Sequence, residues 1–183
     1  MTIARYGALV LFGLVGSLAA QQAGMQNEWD IHKTLTAIAL HADRLVPFLD
    51  QIHPESWTQA GAPAAYTQQA KTCQNEIRGI AQSARELSRN PEKLTDEMKL
   101  LFRIRTFETL LASLGEGLRK YQNPPMADML SSAVAENSPN RERLQEYVME
   151  LAIAREQEFR VADQEAQRCR ESISRRPSTQ EKH

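Results

Sequence analysis

The chain has 183 residues, with 22 basic and 23 acidic side chains and a formal charge of −1. That balance speaks against a nucleic-acid binder, which shows a net basic surface. Ala, Gln, Glu, Arg and Leu dominate and aromatics are few, a composition that favours helix over strand.

Arg5 opens a short positive segment, and Tyr6 to Leu18 is an apolar run without a charge. Ser17 and Ala19 then place small residues at −3 and −1 of a cleavage point after Ala19. Together these read as a secretory signal peptide over 1–19. The run falls short of the roughly 20 residues a membrane-spanning helix needs, although an uncleaved anchor is the competing reading. Export gives a periplasmic or secreted location, and about 160 residues remain, enough for one domain.

Residues 20–26 are small and polar and are expected to fray. The first long helix is expected from Asn27 to Ile52, because Ile31, Leu35, Ile38, Ala42, Leu45, Leu49 and Ile52 recur at alternating steps of four and three. Pro47 removes one hydrogen bond inside it and predicts a kink. Pro54 to Ala65 reads as a loop with a single turn at Pro54 to Trp57, and Trp57 as a plug over one end of the core rather than a ligand platform.

The second long helix is expected from Pro63 or Ala64 to Arg89. Tyr66, Ala70, Cys73, Ile77, Ile80, Ala84 and Leu87 form its stripe, and Gly79 marks a close approach to a neighbour. The third starts near Thr95, with Asp96 and Glu97 as the acidic residues of its first turn. Its stripe runs Leu100, Ile104, Phe107, Leu111, Leu114, Leu118, Tyr121. Asn123-Pro124-Pro125 ends it. Met126 to Glu136 reads as a short helix, and Ser138-Pro139 starts the last long one. Its expected inner face is Leu144, Val148, Leu151, Phe159, Ala162, Ala166, Cys169 and Ile173, interrupted by Arg155. Residues 175–183 read as a disordered tail.

The expected fold is therefore all-α: four long helices in an elongated bundle over 27–174, with one short crossover helix. Cys73 and Cys169, both on apolar stripes, are expected to form a disulfide, because an oxidising compartment lets one persist. Closing a loop of roughly 100 residues would contribute about 4.5 kcal/mol at most. A bridge there requires the second long helix to run antiparallel to the other three, with the short helix carrying the chain back along the bundle.

No motif specifies a reaction, so the catalytic, cofactor and metal assignments are all none. Glu28 with His32 and Asp50 with His53 have helical spacing but no further ligands. The Arg103/Arg105, Arg141/Arg143 and Arg168/Arg170 pairs read as solvated faces, the alternative being an anion or lipid-headgroup patch. The functional expectation is a non-enzymatic binding module of the cell envelope with a protein or peptide partner, no nucleic acid, and peripheral contact with the membrane or envelope left open. The alternative is a small-ligand or metal carrier with its site in the bundle core.

Overall fold

The computed structural model describes residues 19–174, with side chains from Asp30 onward. The expected signal segment and C-terminal tail lie outside the described residues. Six helices follow in order: α1 (Ala19–Asp50), α2 (Pro54–Gln59), α3 (Ala65–Leu87), α4 (Leu94–Tyr121), α5 (Pro124–Ala135) and α6 (Ser138–Ser174). Among the described residues there is no strand. α1 begins eight residues before the expected Asn27, so the backbone of 20–26 is helical rather than frayed.

The four-three stripes of α1, α3 and α4 face one another. Leu35, Ile38, Leu49, Cys73, Ala84, Leu100, Leu114 and Leu118 are all buried. Pro47 lies in the last turn of α1, so the turn it disturbs, back to the Asp43 carbonyl, is the one that ends the helix. α2 starts at Pro54, as the fixed φ of a first-turn proline favours. α5 is capped by Asn123, whose side-chain oxygen accepts from the Met126 N–H at 3.1 Å.

Cross-helix bonds fix the direction of each long helix. Between α1 and α3, Arg78 donates to Asp50 at 2.7 Å, the Gln74 side chain donates to the Leu49 carbonyl at 3.1 Å, and Arg85 pairs with Asp43. The sequence numbers run oppositely, so the helices are antiparallel. Between α3 and α4, Gln69 donates to the Leu110 carbonyl at 3.0 Å and Arg103 to Glu76 at 2.7 Å. That pair is antiparallel too. Between α4 and α6, Arg141 donates to Glu108 at 2.7 Å and Arg155 to the Glu92 carbonyl at 3.4 Å. Hence α6 runs antiparallel to α4 and parallel to α3.

This corrects the expected topology. The short helix does not return the chain to the far end. Asp128 in α5 pairs with Arg119 near the end of α4 at 2.7 Å, and Val134 shares a cleft with Leu111 and Glu108 near the middle of α4. α6 then continues in the same direction. α5 and the first half of α6 together fill the fourth corner of the bundle.

One consequence is an overhang. α6 has 37 residues and α4 has 28, yet α6 starts only level with Glu108. About 15 residues of helix, at 1.5 Å each, bring it to the end of the bundle. The remainder, about 20 residues or roughly 30 Å, projects past the α3–α4 connection. Leu144 and Val148 are buried; every residue from Ile153 to Ser174 is exposed.

The overhang also removes the disulfide. Cys73 is 0% exposed in the core and Cys169 is exposed near the tip of α6, both as free thiols. Helix rise places them roughly 40 Å apart along the bundle, against the roughly 7 Å limit for bridged Cα atoms. The sequence stripe through Cys169 is real, but that part of it has no bundle to face.

Candidate interaction surface

The end of the bundle near α2 is closed. Trp57 is 1% exposed, with its ring edge-on to Tyr66 (centroids 5.6 Å apart) and stacked near Tyr121 at 6.3 Å. Its indole N–H donates to Gln122 Oε1 at 3.0 Å. Gly117 lies directly beneath: a Cβ there would sit 2.8 Å from both Trp57 Cζ3 and Tyr66 Cε1. Trp57 is therefore the expected plug, with its one polar atom satisfied. Gly79 likewise makes room for a neighbour, the Arg103 guanidinium of α4, which pairs with Glu76.

The sequence-level pairs do not assemble a site. The Glu28 side chain lies outside the described residues, and His32 Nδ1 is directed to the Ser88 carbonyl across the α1–α3 contact. Asp50 is taken up by Arg78 rather than by His53. Arg103 and Arg141 are held by Glu76 and Glu108, Arg105 by the Gln145 side chain at 2.5 Å. Arg143 lines a cleft with Asp30, Glu146 and Glu150. Arg168 and Arg170 are exposed on the overhang.

Two buried polar groups escaped the sequence reading. Glu97 is 0% exposed, and neither carboxyl oxygen has a partner among the described residues. It lies one turn before Leu100 and Leu101 and two before Ile104, on the inward face of α4, so burial outweighs the dipole role expected of a first-turn acid. Burial, with a smaller contribution from the neighbouring Asp96 charge, pushes its pKa up to about 8. His41 is also buried. Its Nε2 has no partner among the described residues, and Arg44 approaches Nδ1 at 3.4 Å. Burial, then the Arg44 charge, lowers its pKa and favours neutral imidazole.

His41 stands between two spaces. On one side is a core cavity of about 20 Å³, walled by Ile38, Ile77, Phe107 and Asn137, room for about one water. On the other is an open groove of about 500 Å³ between α1 and α5, with Leu45, Phe48, Met129 and Ala133 on its walls. Among the described residues no group of three or more His, Cys, Asp or Glu side chains is placed to hold a metal. None of the described helices is long and apolar enough to cross a membrane.

The largest departure from a closed surface is the α6 overhang. Phe159 is 74% exposed and Ile173 65%. With Ala162, Ala166 and Cys169 they continue the face that carries Leu144 and Val148, since 3.6 residues per turn keeps all of them on one stripe. Charged residues surround the stripe: Glu156, Glu158, Arg160, Asp163, Glu165, Arg168, Arg170 and Glu171. This is the pattern of a helix that pairs through a narrow apolar seam flanked by charge. Compared with known proteins, the chain matches no family model, and no curated protein or solved structure matches it.

Proposed function

We propose that this chain is an exported, non-enzymatic binding module of the cell envelope whose bundle holds out α6 for pairing with a protein helix. One observation carries the reading: a helix that is apolar on one stripe and has left its own bundle behind. In water such a stripe gains roughly 25 cal/mol per Å² on being covered, which favours a helical partner with a matching seam. The N-terminal signal pattern supports export.

The test is a photo-crosslinking residue placed at Phe159, on the stripe, and in a separate variant at Gln164, on the opposite side of the helix. Irradiation in the native envelope is expected to give a discrete protein adduct from position 159 and little from 164. No adduct from 159, or equal adducts from both, would overturn the reading. The alternative of a small-ligand carrier draws support from the α1–α5 groove rather than from the core, where the cavity described above is too small for a metabolite. Native mass spectrometry of protein from its own host distinguishes it by a bound mass that survives desalting.

A further inference from the structure

The spacing of the exposed stripe is symmetric about Gln164. Ala162 and Ala166 flank that position, Phe159 and Cys169 lie equally far out, and so do Arg155 and Ile173. Four-three spacing gives any such stripe a symmetric centre; what makes this one complementary to itself when reversed is size, small Ala162 against Ala166 and bulky Phe159 against smaller Cys169. We propose that the α6 overhang pairs antiparallel with the same segment of a second copy of this chain, the two-fold axis passing level with Gln164; this identifies the partner in the binding-module reading and rests on it.

Three features support a reversed copy over a parallel one. In the antiparallel register the alanines meet at the centre, where small side chains let the helices approach, and each Phe159 packs against Cys169 of the other copy. The length also fits. Ser174, the last residue of the described helix, comes level with Ala154 of the other copy, at the point where Arg155 touches Glu92 and the bundle begins. The seam lies on the same side of α6 as the bundle core. A parallel copy would therefore bring the two bundles into the same space, whereas a reversed copy places them at opposite ends.

Charge sets both the register and the strength. Flanking positions bring Glu156 beside Arg170 of the other copy at each end, which is attractive. At the centre Asp163 faces Asp163 and Glu165 faces Glu165, which weakens the pair. Closed symmetry of this isologous kind is the commonest form of self-association. The seam is only about 30 Å long, so the interface falls at the small end of specific interfaces and the dimer is expected to exchange.

The experiment is site-directed disulfide trapping in the purified full chain, with oxidised glutathione as the oxidant. Phe159→Cys is expected to give a covalent dimer through Cys169, while the unmodified chain and the Phe159→Cys, Cys169→Ser double variant give several-fold less at the same concentration and time. Position 159 is exposed, so helicity by circular dichroism should be unchanged. Sedimentation of the unmodified chain is expected to show a monomer–dimer equilibrium that Phe159→Glu abolishes and Asp163→Asn with Glu165→Gln strengthens several-fold. Equal trapping through Cys169 alone would point to a parallel pair and overturn the inference. A monomer at every concentration, with no trapping, would overturn it too. The broader binding reading falls separately, if the crosslinker at Phe159 captures no protein of any kind or no more than the one at Gln164.

Discussion

Replacing Glu97 by Gln should stabilise the bundle at neutral and alkaline pH while leaving it little changed in acid. In the native state the Glu97 carboxyl is 0% exposed, without a hydrogen-bond partner among the described residues, and its pKa is pushed from 4.5 up to about 8. The unfolded chain ionises this group at its ordinary value. As pH rises above 4.5 the unfolded state therefore gains a charge that the native state resists, and each pH unit costs about 1.4 kcal/mol of stability until the native group itself ionises near pH 8. Below pH 4.5 both states are neutral and the penalty vanishes. The full penalty above pH 8 is then on the order of 4–5 kcal/mol, and about 3 kcal/mol at pH 7. Gln keeps the shape and the neutral polar head but cannot ionise. Thermal unfolding followed by far-ultraviolet circular dichroism, at pH 5 and pH 8, measures the effect. The variant should melt higher than the parent at pH 8 by roughly 8–15 °C, using about 2–4 °C per kcal/mol for a chain of this size, with a gap several-fold smaller at pH 5. Because other groups titrate in both proteins, the decisive quantity is the difference between the two. A gap that stays constant across the pH range would refute the reasoning, since it would mean that the carboxylate finds compensation in the native state.

Three further outcomes follow from the packing. A maleimide reagent should modify Cys169 rapidly in the native protein and Cys73 only on unfolding, because Cys73 is fully buried and its thiol is pushed up to about 11 by burial and the nearby Glu76 charge; two fast native thiols would contradict the placement. Gly117→Ala should destabilise by about 1–3 kcal/mol, since its Cβ would meet Trp57 and Tyr66 at 2.8 Å, while Gly115→Ala, with nothing within 4 Å, should stabilise by up to about 1 kcal/mol; urea unfolding of the two variants gives the comparison. Trp57→Ala should cost about 3–5 kcal/mol, because it empties the aromatic plug and leaves Gln122 Oε1 without the indole donor. A loss below 1 kcal/mol would mean that the end of the bundle relaxes to fill the space.

Local pattern determined a large part of this protein. The stripes of α1, α3 and α4 required no tertiary information, because a residue's face on a helix depends only on its spacing. The same holds for the breaks at Pro54 and Asn123-Pro124, where backbone chemistry acts within a few residues. The plug role of Trp57 and the close approach at Gly79 were also legible, as a large aromatic beside proline and a glycine inside a stripe each have few uses.

Direction and length were decided only in three dimensions. The stripe of α6 looks continuous from Leu144 to Ile173, yet periodicity records which side a residue lies on and not whether anything stands opposite. That depends on where α6 starts beside α4, which the α5 connection sets at the level of Glu108. The expected Cys73–Cys169 bridge failed for this reason, and Glu97 was misread for a related one. A carboxylate in a first turn suits the helix dipole when exposed, but here Glu97 lies inside the inward stripe of α4, between Leu94 on one side and Leu100 and Leu101 on the other. Short-range sequence fixes the face of each helix; the register between helices fixes which faces stay wet.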